Sequence, residues 1–173
     1  MVRPVTPDDW HLLRDARLTA LVDVPSAFGS TYAEESGFDE AKWRSRASGF
    51  VWFIAMDDDS PVGVVGATRL DRPSSRMLFA MWTHEGFRGT GLAETLVNAV
   101  CRWARDDGGE ELILWNADGN ERARRFYERQ GFALTGRRKQ LRSNALVGET
   151  ELRLALHARG GPDPSDPPTP ISP

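Results

Sequence analysis

The stretch that most constrains this chain is Arg88-Gly89-Thr90-Gly91-Leu92-Ala93. An apolar run, Met77 to Thr83, precedes it; Leu92, Leu96, Val100, Trp103 and Ala104 follow at the steps of one helix face. Asp106-Asp107-Gly108-Gly109 should close that helix, because glycine accepts the left-handed backbone of a last turn. The order is therefore strand, glycine turn, helix. Backbone N–H groups at such a start can approach an anion closely, and the helix dipole adds favourable potential there. A pyrophosphate suits that chemistry. The dinucleotide pattern G-x-G-x-x-G fails at its last position, where Glu94 stands, and G-x-x-x-x-G-K-[ST] occurs nowhere.

What remains is Arg-x-x-Gly-x-Ala, which taken alone is equally an ordinary strand–helix turn. A second segment decides the matter. Asn120-Glu121-Arg122-Ala123-Arg124-Arg125-Phe126-Tyr127-Glu128-Arg129-Gln130-Gly131-Phe132 meets N-x-x-A-x-x-F-Y-x-x-x-G-F at every fixed position, behind the short strand Leu112 to Asn116. With both patterns in order, the chain resembles the bacterial type of the GNAT superfamily, the acetyl-CoA-dependent N-acetyltransferases. The resemblance covers residues 2 to 156 and is strongest between Phe79 and Phe132. It implies an α/β (α+β) fold, a mixed and mostly antiparallel sheet of six to seven strands flanked by helices. Two central strands should splay apart to form the coenzyme A cleft.

The chain has 173 residues, of which 40% are hydrophobic, enough for one core. Residues 1–158 read as one N-acetyltransferase domain. Residues 159–173 are rich in Pro, Asp and Ser with little apolar character, and read as a disordered tail. The net charge of −3 gives no reason to expect nucleic acid. Twenty of the 22 basic residues are Arg, a compositional bias. Cys101 is the single cysteine, so no intramolecular disulfide can form; inside a helix it reads as a buried thiol. With no signal segment and no membrane-length apolar run, a cytoplasmic protein without a membrane partner is expected.

Val2 to Val5 reads as a first strand, and Thr6-Pro7-Asp8-Asp9 as a helix start with hydroxyl cap, proline and acids. Ser26 to Thr31 is a loop of small residues around Phe28; Asp23 to Ser30 resembles the A-P-x-A-F-G-S pattern of a bacterial subset of the superfamily. Phe28 reads first as a core plug. Further strands are expected over Phe50–Met56, Val62–Leu70, Phe132–Arg138 and Glu149–Leu156, with a helix over Asp39–Ala47. Asp57-Asp58-Asp59 reads as a solvated turn, since its spacing is not that of a calcium loop. No metal is expected.

For the site, the resemblance implies that backbone groups near Trp82 and Thr83 pair with the pantetheine arm as an added strand. Thr83-His84-Glu85 replaces the family's V-x-P there, and His84 reads as an exposed loop residue. Arg88, Gly89, Thr90, Gly91, Leu92 and Ala93 would supply donors to the pyrophosphate. Asn120 and Tyr127 are seven residues apart, about 20° short of two full helical turns, so they share a face. Asn120 is expected to cap its helix and to meet the pantetheine, Tyr127 to act as general acid on the departing sulfur, and Arg124 to reach a phosphate. The base that takes the amine's proton is sought among Glu34, Glu35, Glu85 and Glu149. The expected partner is a small-molecule amine acceptor, with a homodimer left open. A peptide or protein acetyltransferase, and an idle acetyl-CoA-binding module, are the alternatives.

Overall fold

The computed structural model describes residues 1–156; the tail expected at 159–173 lies outside them. Seven strands form one sheet in the order β1-β2-β3-β4-β5-β7-β6. They are β1 Val2–Pro4, β2 Val51–Asp57, β3 Ser60–Arg69, β4 Ser75–Thr83, β5 Glu111–Ala117, β6 Ala133–Leu141 and β7 Asn144–Ala155. Only the β4–β5 pair is parallel. The helices are α1 Trp10–Asp23, α2 Tyr32–Ser36, α3 Glu40–Gly49, α4 Leu92–Asp106 and α5 Glu121–Arg129.

The two sheet faces have separate cores. Under α4 and α5 lie Val65, Leu78, Leu96, Val100, Leu112, Leu114, Tyr127 and Leu152. Under α1 and α3 lie Leu13, Ala16, Leu21, Trp43, Trp52, Ile54, Val64 and Trp82. Leu112 and Leu114 fill the first core because alternate residues of a strand share a face. Cys101 is buried in that core, as expected, and burial raises its thiol pKa.

One local expectation changes. The Thr6–Asp9 segment forms a single 3₁₀ turn over Pro7–Asp9, and α1 begins only at Trp10. The hairpin expected over Gln140 to Gly148 is present and tight: Leu141 pairs with Asn144, leaving Arg142-Ser143 as a two-residue turn. Strand β6 is exposed along nearly its whole length, so its sequence carries no alternation to read.

Candidate functional site

The cleft originates in a bulge. Between the pairs Val64–Trp82 and Gly66–Phe79, β3 has the one residue Val65 where β4 has two, Ala80 and Met81. Ala80 takes φ of 55°, a left-handed backbone that an alanine adopts only at a cost. The extra residue bends β4 away from its parallel neighbour. Pairing between β4 and β5 covers only Ser75 to Met77 against Glu111 to Ile113, so beyond that point both strands have free inner edges. A cavity of about 420 Å³ follows the opening, lined from one end to the other by Gly89, Thr83, Asn120, Tyr127, Met81 and Phe28, among others. Trp82 and Ala93 also border it.

The glycine turn forms the cavity's first end. Gly89 and Gly91 have φ of 82° and 86°, and Gly91 caps α4. The amides of Gly89, Gly91, Leu92 and Ala93 donate to no acceptor among the described residues, as the first turn of any helix dictates. Thr90 points its hydroxyl to the Phe87 carbonyl. Arg88 is arranged differently from the sequence expectation. Its guanidinium pairs with Asp23 at the end of α1, and its Nε donates to the Thr83 carbonyl at 3.2 Å. It braces the turn against α1, where the Trp82 indole also donates to Asp23 at 2.8 Å.

Helix α5 forms the adjoining wall. The Asn120 side chain accepts from the Ala123 amide at 3.2 Å, so it is an N-cap, and the residue borders the cavity. Tyr127 packs edge-on between Phe126 and Phe132, with centroids at 5.2 and 5.6 Å. It is buried, and burial pushes its phenol pKa upward. No protein group among the described residues hydrogen-bonds its hydroxyl. Arg124, expected to reach a phosphate, is held instead by Glu121 at 2.6 Å and Glu128 at 3.9 Å. Besides Arg88, the cavity is bordered by Arg122 and Arg129, and neither of these two has an ion-pair partner among the described residues. They too are seven residues apart, the spacing that singled out Asn120 and Tyr127.

The far end of the cavity is roofed by the segment after α1. Phe28 is buried and lines the cavity, so the plug of the loop is also a wall. Ser143 donates to the Phe28 carbonyl at 2.5 Å, and Arg142 donates to the Gly29 carbonyl at 2.9 Å. Arg142 also meets both carboxylate oxygens of Glu34, at 2.7 and 3.0 Å. The β6–β7 turn thus clasps the loop across the cleft.

This arrangement redefines the expected bases. Glu34 belongs to the clasp, and Arg142 lowers its carboxyl pKa, which makes it a poor proton acceptor. Glu35 is fully buried, in a two-point pair with Arg17 at 2.5 and 3.2 Å and with Arg46 at 3.5 Å. Arg17 lies 5.0 Å from the Phe28 ring centroid, so Glu35 anchors the roof from beneath. None of Glu34, Glu35, Glu85 or Glu149 borders the cavity. His84 is exposed and caps its own turn, accepting from the Gly86 amide at 3.2 Å.

The model of the Acetyltransferase (GNAT) family matches residues 16–132, which hold the bulge, the glycine turn and α5. The chain belongs to the GNAT family. Human N-acetyltransferase 8B is 34% identical over 92 residues, which is 51% of this GNAT chain and 40% of the human protein. The chain thus spans about two fifths of the length of the human relatives it matches. N-acetyltransferase YdgE of Bacillus subtilis is 27% identical over 124 residues, covering 64% of this chain and 79% of that one. Among solved structures, a GNAT-family acetyltransferase from Streptococcus pneumoniae superposes with a TM-score of 0.74 at 16% identity, over 91% of this chain and 99% of that one. The Salmonella typhimurium acetyltransferase yncA, solved with acetyl-CoA, gives 0.73 at 15% identity, over 95% and 98%. These likenesses show the seven-stranded GNAT fold for this chain. Among the described residues, no helix is long and apolar enough to cross a membrane.

Proposed function

We propose that this GNAT chain transfers an acetyl group from acetyl-CoA directly to a primary amine of a small molecule. The observation that carries the reading is one cavity lined together by Gly89 and Ala93 of the glycine turn, whose amides are unpartnered, by Tyr127 and by Phe28 of the roof. The pyrophosphate would lie on the amides of Gly89 to Ala93, with Arg122 and Arg129 near its phosphates. The pantetheine would pair with the free inner edge of β4 at Met81 to Thr83.

The neutral amine nitrogen attacks the thioester carbonyl, the C–S bond breaks, sulfur leaves as thiolate with the electron pair, and the nitrogen's proton passes to water in the open cleft. Tyr127 assists at the sulfur. A thiol ionises near pH 8.5 and a free phenol near pH 10, and burial raises the phenol further. Full proton transfer to the thiolate is therefore uphill, and Tyr127 acts as a hydrogen-bond donor to the developing charge. Cys101 lies in the core with a raised pKa and does not border the cavity, so no acetyl-enzyme is formed.

The roof supports a small acceptor over a peptide. The clasp of Arg142 and Ser143 on the loop bridges the cleft where a peptide would need an open groove. Calorimetry with acetyl-CoA, followed by an amine and peptide panel reporting released CoA, tests the reading. Binding plus turnover of small amines is expected. Turnover with peptides only would replace the acceptor class, absence of any turnover would leave a binding module, and ping-pong kinetics would demand a nucleophile.

A further inference from the structure

Beyond the split, the face of β5–β7–β6 on the roof side carries an indole and two carboxylates. Trp115 points to this side because Leu112 and Leu114, on the alternate face, fill the α4 core. Glu151 is its register partner on β7, and Glu149 is the next residue on the same face. Their side chains are only 4% and 12% exposed. Three residues of β6, Thr135 to Arg137, bulge opposite Glu151. The bulge brings the Thr135 hydroxyl to Glu151 Oε1 at 3.0 Å and Arg137 Nη1 to within 3.2 Å of Oε2. Oε2 is buried and still has no hydrogen-bond donor among the described residues.

The cluster already holds an ammonium. Lys139 Nζ sits 4.3 Å from the centre of the Trp115 ring and 3.5 Å from Glu149 Oε2. An aromatic face beside a carboxylate is the environment that recognises organic ammonium groups. The occupant is also chemically particular: of 22 basic residues only two are lysines, and one of them stands here. A lysine ends in a primary ammonium, whereas the planar fork of arginine does not mimic one. Its side chain is 47% exposed, so it can swing into water and vacate the ring. An incoming ammonium would replace like with like, leaving Arg137 on Glu151 and taking over Glu149.

We propose that Trp115, Glu149 and Glu151 form a subsite for the second, non-reacting ammonium of a diamine or polyamine acceptor, with Lys139 as a built-in competitor. The proposal rests on the reading of this chain as an amine acetyltransferase. Trp115 stands two residues past Ile113, the last β5 residue paired to β4, so the subsite adjoins the split where the reacting amine would lie. A flexible diamine can occupy both.

The test compares 1,5-diaminopentane with pentylamine, which differ only in the distal ammonium, by calorimetry on the CoA-loaded protein. The diamine is expected to bind roughly tenfold tighter. Lys139→Ala should tighten the diamine severalfold and leave pentylamine unchanged, a gain that loss of a merely structural contact would not give. Glu149→Gln should weaken the diamine about tenfold, and in turnover KM for the diamine should move while KM for acetyl-CoA does not. Equal affinity for the two probes overturns the proposal, as does a Lys139→Ala protein that binds the diamine no better than wild type. Since Lys139 is exposed, that variant keeps the test decisive even if a Trp115 variant fails to fold. Should CoA itself not bind, the acetyltransferase reading falls separately, and the same two probes on the unliganded protein still decide the subsite.

Discussion

The two ends of the cleft are built by different means. The cofactor end, from the glycine turn through α5, is made of backbone: two positive φ angles, four free amides and an asparagine cap, all within short spans of chain. The acceptor end is made of side chains that meet from far apart in sequence. Arg142 reaches Glu34 across 108 positions and Ser143 reaches the Phe28 carbonyl across 115. A backbone site leaves a local motif, because the required φ angles and helix starts select residue types at fixed spacings. A side-chain site assembled at long range leaves only scattered charges.

The comparison can be broken at either end. The largest effect is expected at the acceptor end, in Glu35→Ala, which strands the buried Arg17 and removes a partner of the half-buried Arg46. Breaking one partner of a buried pair costs about 3–5 kcal/mol, a large part of the stability of a single domain. Denaturant unfolding measures it, and a loss below about 1 kcal/mol would mean the roof is not anchored there. Next comes Gly91→Glu at the cofactor end. It forces a side chain onto a φ of 86° and sets a carboxylate against the pyrophosphate. Acetyl-CoA affinity should fall roughly 100-fold by calorimetry; unchanged affinity would remove the turn from the site.

Tyr127→Phe should leave acetyl-CoA binding intact, because the ring still packs, and lower kcat by roughly 10- to 100-fold. Its pH profile sharpens the assignment. Burial raises the phenol pKa, so the hydroxyl stays protonated as pH rises, and Tyr127 contributes no alkaline fall in kcat below pH 10. A fall near pH 9 that disappears in Tyr127→Phe would show an ionising phenol instead. The smallest effect belongs to Arg142→Ala. Its pair with Glu34 is exposed, so stability should change by no more than about 1 kcal/mol and the change should shrink with salt. KM for the acceptor should rise while KM for acetyl-CoA stays. Equal shifts in both would mean that the clasp serves the whole cleft.

Much of the fold was legible in the sequence. The strand before the glycine turn, the amphipathic α4, the N-cap at Asn120 and the β5 run all stand within a residue or two of their expected places. Within the candidate site, the positive-φ turn at Gly89 and Gly91 and the shared Asn120–Tyr127 face could be read because they are features of backbone and helical geometry. Arg124 was read as a phosphate ligand from its distance to Asn120, but two acids one turn away on its own helix claim it. Glu35 is a candidate base on sequence alone, since nothing local signals that Arg17, 18 positions earlier, comes to lie against it. The ends of β6 and β7 next to their turn were blurred by the exposure of β6, and the β4 bulge was hidden by its occupant, an alanine where a glycine would have announced the turn of φ.

That bulge also sets the phase of the strand. Leu78 packs toward α4, Phe79 and Ala80 toward α1, Met81 toward α4 again and Trp82 toward α1, so the alternation slips by one at Ala80. Removing that single residue would restore a straight ladder between β3 and β4. It would leave Met81 and Trp82 on the faces they now take, in unbroken alternation with Leu78 and Phe79, and let β4 run on beside β5. The opening between β4 and β5 is therefore encoded as a count, one residue more on β4 than on the strand it pairs with. Gain or loss of a single codon there separates a sheet with an open cleft from one that is shut.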